Sequence, residues 1–155
     1  MNQYTIPSCG RAGSNAVEKP WLEQVKSIIK ASVELAKAGQ TENALTALDA
    51  VLAEAPQEDE SGCTRILCRH AAALAHAKGD LQREIQYTRH ALPYTKDYPF
   101  AAYHLAQLLL RDGHLQLAEK YATEAYELSI SGAGEADADL ALAIIKQWPN
   151  IAASR

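Results

Sequence analysis

The chain has no long hydrophobic run and little net charge. None of its apolar stretches approaches the roughly 18 residues that a transmembrane helix needs, and its first residues lack the apolar core of a secretory signal peptide. The formal net charge over 155 residues is −4, without the basic stripe that nucleic-acid-binding domains carry. These absences argue against a membrane or a nucleic acid as partner, and we expect a cytoplasmic protein.

Cysteine is scarce as well. The chain has three cysteines, Cys9, Cys63 and Cys68, which is an odd number without a C-x-x-C pair. Cys63 and Cys68 are separated by about 140° around a helix, so a disulfide within one helix is disfavoured. We predict free or buried thiols, in keeping with a cytoplasmic location.

The sequence also lacks the short motifs of enzymes. It contains no nucleophile elbow, phosphate-binding loop, paired-carboxylate motif or H-E-x-x-H. Cys68 and His70 could form a nucleophile pair only if they faced each other, and residues two apart on a helix do not. We therefore predict no catalytic residues, no enzymatic activity and no cofactor.

Three glycines divide the rest of the chain into pairs of amphipathic runs. Gly79 and Gly113 are 34 residues apart, whereas Gly39 and Gly79 are 40 apart. The acidic segment 57–62 accounts for the longer interval, and we interpret it as a loop insertion between repeats. A glycine that follows a helix can adopt the left-handed conformation that ends it. The spacing therefore predicts three helix–turn–helix units.

Proline and polar residues mark the predicted boundaries of the first unit. Pro20 suits the first turn of a helix that ends at Gly39. Thr41 offers a hydroxyl to cap the next helix, which is predicted to stop before Pro56. Residues 1–18 show no apolar periodicity and are predicted to be a flexible tail.

Similar signals recur in the later units. Asp80 is a strong N-cap residue directly after the second glycine. Pro93 predicts a kink or an early helix end just before it, and Pro99 suits the start of the third unit. A last helix over 137–147 is predicted to end before Pro149 and to cover the end of the stack. The apolar side chains available for this are Leu140, Ile144, Ile145 and Trp148.

Small residues recur at matching distances from the three glycines. Ser32, Ala72 and Ala106 share one position in the first helices. Ala44 and Ala118 share another in the second helices, where the middle unit has Glu84 instead. A small side chain at such a position lets two helix axes approach to roughly 8 Å.

In these small residues, the turn glycines and the proline that ends a unit, the chain resembles tetratricopeptide (TPR) repeats over about residues 25–130. The resemblance implies an all-α fold, an α-α superhelix of three TPR-like helix–turn–helix units plus a C-terminal capping helix. It implies one helical domain over 19–155, with units at about 21–56, 63–96 and 99–130 and a cap at 135–148.

In TPR proteins the first helices of the repeats line a concave groove. Carried over to this chain, the resemblance implies a partner-binding surface with a set of mostly cationic or neutral side chains: Lys30, Lys37, Arg69, His76, Tyr103, His104, Gln107 and Arg111. Arginine pairs well with carboxylates, so an acidic or carboxylate-ended peptide is the expected ligand. The alternative is that these charges only solvate the helix faces.

Two more specific sites are not predicted. Some TPR proteins hold the C-terminal carboxylate of heat-shock chaperones with Lys, Asn and Arg, but this chain has Ile29, Val33, His70, Phe100 and His104 at those places. A metal site of His70, His104 and either Cys68 or His76 matches no known short spacing. We predict no metal.

The favoured function is a protein-interaction adaptor or scaffold that holds a peptide or helix of another protein in the groove. The alternative is a chaperone like those of bacterial type III secretion, which would bind an extended client segment. A monomer or a homodimer is expected, with Trp21 and Trp148 as candidates for contacts between copies.

Overall fold

The chain folds into α-helices joined by short turns. The computed structural model describes residues 10–131 and 138–153, and within these ranges there is no β-strand. The all-α fold class is thus confirmed. None of the described helices is both long enough and apolar enough to cross a membrane. The helices are α1 (Gly10–Lys37), α2 (Thr41–Leu52), α3 (Cys63–Lys78), α4 (Leu81–Ala91), α5 (Tyr98–Arg111), α6 (Leu115–Ser131) and α7 (Ala138–Ala153).

The same turn closes α1, α3 and α5. Gly39, Gly79 and Gly113 have φ angles of 78°, 80° and 80°, in the region that only glycine adopts without strain. In each turn the glycine N–H donates to the carbonyl three residues back, and the next N–H donates to the carbonyl five residues back, over 2.8–3.1 Å. These two bonds define a Schellman motif and satisfy carbonyls at the helix end. The three predicted turns are confirmed.

The residue after each glycine, not the second one after it, precedes the next helix. Asp80 caps α4 as predicted, because its side chain accepts a hydrogen bond from the Arg83 N–H at 3.1 Å. In the first unit the N-cap is Gln40, without a side-chain capping bond, and Thr41 is already helical. The predicted Thr41 cap was therefore wrong by one residue.

Prolines act differently in different helices. Pro93 ends α4 as predicted, since α4 stops at Ala91 and a 3₁₀ turn over Leu92–Tyr94 follows. Pro20 and Pro149, in contrast, lie inside α1 and α7. The φ of proline is compatible with a helix, but each proline removes one backbone hydrogen bond and its ring crowds the carbonyl four residues earlier. Pro20 thus does not start α1.

Of the predicted tail over 1–18, the part from Gly10 onward belongs to α1. Residues 1–9 lie outside the described residues.

The chain divides into two compact parts, an N-terminal compact part (Met1–Leu74) and a C-terminal compact part (Ala75–Arg155), with the division inside α3. In the N-terminal compact part α1 packs against α2. Its buried apolar side chains are Trp21, Val25, Ala44, Leu45, Leu48, Leu52, Cys63, Leu67, Cys68 and Ala71. The predicted insertion over 57–62 does lie between two helices, α2 and α3.

In the C-terminal compact part α5 is the central helix, packed against α4, α6 and α7. Alanines fill its contact with α6: Ala102, Ala106, Ala122 and Ala125 are all inaccessible to solvent. Ile144 of α7 is also fully buried there, whereas Ile145 is half-exposed. The side chains of Leu140 and Trp148 lie outside the described residues. The last helix covers one side of α5, as a capping helix does.

Candidate partner-binding surface

In the N-terminal compact part the predicted surface residues are Lys30, Lys37 and Arg69, and all three are exposed. Lys37 Nζ lies 3.5 Å from a carboxylate oxygen of Glu34, but both side chains are about 70 % exposed, so the pair contributes little. Lys30 and Arg69 have no carboxylate partner among the described residues. These two cations are available to an external anion.

In the C-terminal compact part His76 is exposed but already has a partner. Its Nδ1 lies 3.1 Å from Oε1 of Glu84, and Glu84 is buried. Glu84 is the residue that departs from the small-residue pattern, and it stands five positions after its turn glycine, as Ala118 does. The hydrogen bond with His76 offsets part of the free-energy cost of burying the Glu84 carboxylate, at a place where the other two repeats bury an alanine.

Tyr103 does not face solvent. It is only 8 % exposed, packs among the alanines between α5 and α6, and donates a hydrogen bond from its hydroxyl to the Ala143 carbonyl at 3.3 Å. Burial raises the pKa of Tyr103 above its ordinary value. The helical period places Tyr103 toward α7, and α7 covers it, so the expectation of Tyr103 as an open surface residue is corrected.

The remaining predicted residues of α5, together with Phe100, form a narrow strip along one face of the helix. Phe100, His104, Gln107 and Arg111, here called the α5 strip, follow one another at intervals of four, three and four residues. Such intervals place them within about 60° around the helix. Phe100, His104 and Arg111 are exposed and Gln107 is half-buried, whereas every other residue of α5 is buried or half-buried.

The α5 strip has an unusual composition for a solvated face. Phe100 is the only phenylalanine of the chain and is 58 % exposed. α5 contains no Asp or Glu, so nothing on that helix neutralises Arg111. Aromatic and arginine side chains are the types enriched at interface anchors, and here they stand exposed at the two ends of one helix face.

Charge is sorted between the helices. α3 carries Arg65, Arg69 and Lys78 without a single acidic residue, and α1 has five Lys and Arg against three Glu. In contrast, α2 has only acidic charges, Glu42 and Asp49, and α6 has three Glu against one Lys. The first helix of each pair is therefore net positive, and two of the three second helices are net negative.

A pair made of the buried Ser32 and the half-buried His70 joins α1 to α3. The Ser32 hydroxyl donates to the Ile29 carbonyl at 2.8 Å, and its oxygen also lies within hydrogen-bond distance of His70 Nε2, at 2.8 Å. Burial lowers the pKa of His70. Because Ser32 is inaccessible to solvent, the pair holds two helices together and cannot present a nucleophile to a substrate.

Sequence reasoning missed a cluster around Asp59. Its Oδ2 accepts hydrogen bonds from Trp21 Nε1 at 3.1 Å, from the Thr64 hydroxyl at 2.6 Å and from the Thr64 N–H at 2.7 Å. Ser61 donates to the other oxygen, Oδ1, from its N–H and from its hydroxyl. Burial alone would raise the pKa of Asp59, but the donors of Ser61 and Thr64 outweigh it and lower that pKa.

The Asp59 cluster gives segment 57–62 a structural role. Thr64 lies in the first turn of α3, where N–H groups have no partner within the helix, and Asp59 supplies one. Trp21 is 5 % exposed and belongs to α1. The acidic insertion thus caps α3 and links it to α1. Trp21 belongs to the core of the N-terminal compact part.

The described cysteines are both buried. Cys63 and Cys68 are free thiols inside the N-terminal compact part, as predicted, and Cys9 lies outside the described residues. Burial raises the pKa of Cys68 to about 12, which keeps it protonated at neutral pH. Nowhere in residues 10–131 and 138–153 do three or more His, Cys, Asp or Glu side chains converge as metal ligands would.

No protein-family model matches the chain, and neither the curated proteins nor the solved structures give a match. The resemblance to TPR repeats therefore depends on the residues and turns described above.

Proposed function

We propose that the protein is an adaptor built from three TPR-like units, which binds a segment of another protein on the surface of its first helices. The three identical glycine turns support this architecture, because they recur at the spacing of the predicted repeats. A unit of that kind cannot bury its apolar face alone, and stacked units leave an extended surface for a partner.

The burial of the small residues supports the same architecture. Ser32 and Ala106 each precede their turn glycine by seven positions, and Ala44 and Ala118 each follow theirs by five. All four are inaccessible to solvent. Small buried residues at matching places are what a close helix crossing requires, and the first and third units have them.

The observation that carries the functional proposal is the sorting of charge. Solvation alone asks for charged side chains of either sign, and an acidic protein would be expected to place both signs on every helix. Here the first helices are net positive in a chain whose formal net charge is −4. A positive surface on a negative protein favours an acidic partner and disfavours basic ones.

The test is affinity purification from the native host with mass spectrometry, using the wild type beside the double variant Arg69→Glu/Arg111→Glu. A matched control, Arg89→Glu/Lys120→Glu, introduces the same charge change at exposed positions of α4 and α6. We expect a partner that the wild type and the control capture and the test variant loses. Binding of the purified partner, measured by calorimetry with all three proteins, gives the change in affinity.

A partner retained by the test variant would contradict a site on the first helices. Capture of no partner, together with elution as a larger assembly, would favour self-association instead.

A further inference from the structure

The exposed face of α7 carries an apolar stripe, which supports an inference independent of the function proposed above. Leu142 and Ile145 are 55 % and 49 % exposed, and Pro149 is exposed as well. These three residues follow one another at intervals of three and four, which places them within about 60° around the helix. Ala141 and Ile144, in contrast, are buried. The helix is thus apolar on the side that packs against α5 and α6 and also on part of its exposed side.

The α7 stripe differs from the other exposed apolar side chains of the described residues. Those large side chains are Ile66, Phe100 and Ile130, and they occur singly, one on each of α3, α5 and α6. Single apolar residues are ordinary on a protein surface, whereas contiguous ones indicate an interaction site. In water, the α7 stripe favours an arrangement that covers it.

The two charges of α7 indicate which molecule covers the stripe. Asp139 and Lys146 are the only charged residues of this helix, and they have opposite signs. They are seven residues apart, so their positions differ by only about 20° around the helix. Both positions therefore lie on the same flank of the stripe. An interface between two identical copies has to be self-complementary, and one acid and one base on the same flank meet that requirement.

An antiparallel pair of α7 helices brings the opposite charges together. A two-fold axis perpendicular to the helices, midway between Leu142 and Ile145, places Leu142 of each copy opposite Ile145 of the other. The same axis keeps the two charged flanks on one side of the contact. Lys146 of each copy is then level with Asp139 of the other to within about 3 Å along the helices. In a parallel pair the charged flanks would lie on opposite sides of the contact.

We propose that α7 is a dimerisation helix, which pairs antiparallel with α7 of a second copy of this chain. The apolar stripe supplies most of the binding free energy, because its side chains leave water. The two pairs of Asp139 and Lys146 lie at the edge of the contact and select the antiparallel direction. A contact between two helices of 16 residues is smaller than a standard interface, so the dimer is reversible, with a Kd on the order of micromolar.

Sedimentation equilibrium of the full chain, from submicromolar to submillimolar concentration, tests the proposal. We expect a reversible equilibrium between monomer and dimer. Leu142→Ala/Ile145→Ala is expected to raise the Kd of the dimer about a hundredfold, because both side chains are lost from each copy. The control Ile66→Ala removes an apolar side chain of similar exposure from α3 and should leave the Kd unchanged.

Charge variants test the antiparallel direction separately. Asp139→Lys and Lys146→Glu each leave only like charges between the two copies, and each is expected to raise the Kd about tenfold at low salt. An equimolar mixture of these two variants should form a mixed dimer more tightly than either variant pairs with itself, since one carries two bases and the other two acids. Loss of folding cannot produce this gain on mixing. Thermal melts at submicromolar concentration show in addition that each monomer is folded.

A chain that stays monomeric at the highest concentration would overturn the proposal. The same holds for a dimer that Leu142→Ala/Ile145→Ala leaves intact, and for charge variants that dimerise like the wild type and gain nothing on mixing. Capture of a partner by the first helices is a separate measurement, so loss of the α7 dimer leaves the adaptor proposal standing.

Discussion

At the scale of single residues, Asp59 stands out because its carboxylate accepts five hydrogen bonds. Its two oxygens accept hydrogen bonds from Trp21, Ser61 and Thr64, which belong to α1, to the segment before α3 and to α3 itself. A carboxylate can serve all of these donors at once, because both oxygens only accept. The ionised form of Asp59 therefore stabilises the packing of the N-terminal compact part.

Replacing Asp59 with Asn is expected to destabilise the protein by about 1–3 kcal/mol at neutral pH, since the amide accepts through one oxygen only. The pKa of Asp59 is lowered in the folded state from 3.8. The contribution of the carboxylate is therefore complete above pH 3.8 and is lost as pH falls through the lower folded pKa. Urea midpoints of both proteins, measured over a pH series, should converge in acid.

Glu60→Gln is the matched control, because Glu60 is an exposed acid beside Asp59. Its urea midpoints should follow those of the wild type at every pH. Parallel pH profiles for Asp59→Asn and the wild type would show that the Asp59 carboxylate has no special role.

The residue scale is also where sequence reasoning reached its limit. Lys30, Arg69 and Arg111 are exposed as a helical period predicts. Tyr103 lies on the same helix as Arg111, yet α7 covers it. Likewise, nothing near Asp59 in the sequence indicates that Trp21 contacts it. Such contacts depend on how distant helices pack, which local periodicity does not specify.

At the scale of elements, the glycine turns were predictable because their physics is local. A left-handed residue after a helix is most favourable for glycine, and Gly39, Gly79 and Gly113 all take that conformation. The Asp80 cap was predictable for the same reason. The helix boundaries at Pro20 and Pro149 were not, because proline disfavours a helix interior and yet both helices continue through it.

The glycine turns support a prediction that tests whether they are equivalent. A Cβ at Gly39, Gly79 or Gly113 would meet no atom within 4 Å. Substitution by Ala therefore causes backbone strain without a steric clash, at a cost of about 1–2 kcal/mol in each case. Asn tolerates the left-handed region better, so Gly→Asn is expected to cost less at every turn.

Thermal or urea unfolding of the six single variants measures these costs. Each Asn variant is compared with the Ala variant at its own position. Asn variants as unstable as the Ala variants, or one turn several-fold more sensitive than the other two, would argue against three equivalent turns.

At the scale of the whole molecule, the sequence determines the distribution of charge more firmly than it determines the partner. The positive first helices and the negative α2 and α6 follow from the sequence once the helix boundaries are known. The all-α fold and the position of the α5 strip were likewise accessible. The chemistry of a partner was accessible only as a preference for acidic segments, because charge complementarity does not identify a sequence.

If exposed cations on the first helices hold the partner, its binding must depend on salt. Two or three exposed ion pairs contribute about 0.2–1 kcal/mol each, and the screening length falls from about 10 Å at 0.1 M salt to about 3 Å at 1 M. Raising NaCl from low to high concentration is thus expected to raise the Kd of the captured partner by roughly tenfold. Most of the change should appear in the association rate, since electrostatic steering acts before contact.

The Arg69→Gln/Arg111→Gln variant separates this effect from a general response to salt. It should bind more weakly at low salt and show a flatter salt dependence, while Arg89→Gln should reproduce the wild-type curve. Surface plasmon resonance over a salt series gives both rates for each protein. A wild-type affinity that is independent of salt, or a slope that the double variant leaves unchanged, would mean that apolar contacts such as those of Phe100 hold the partner and that the sorted charges only keep the protein soluble.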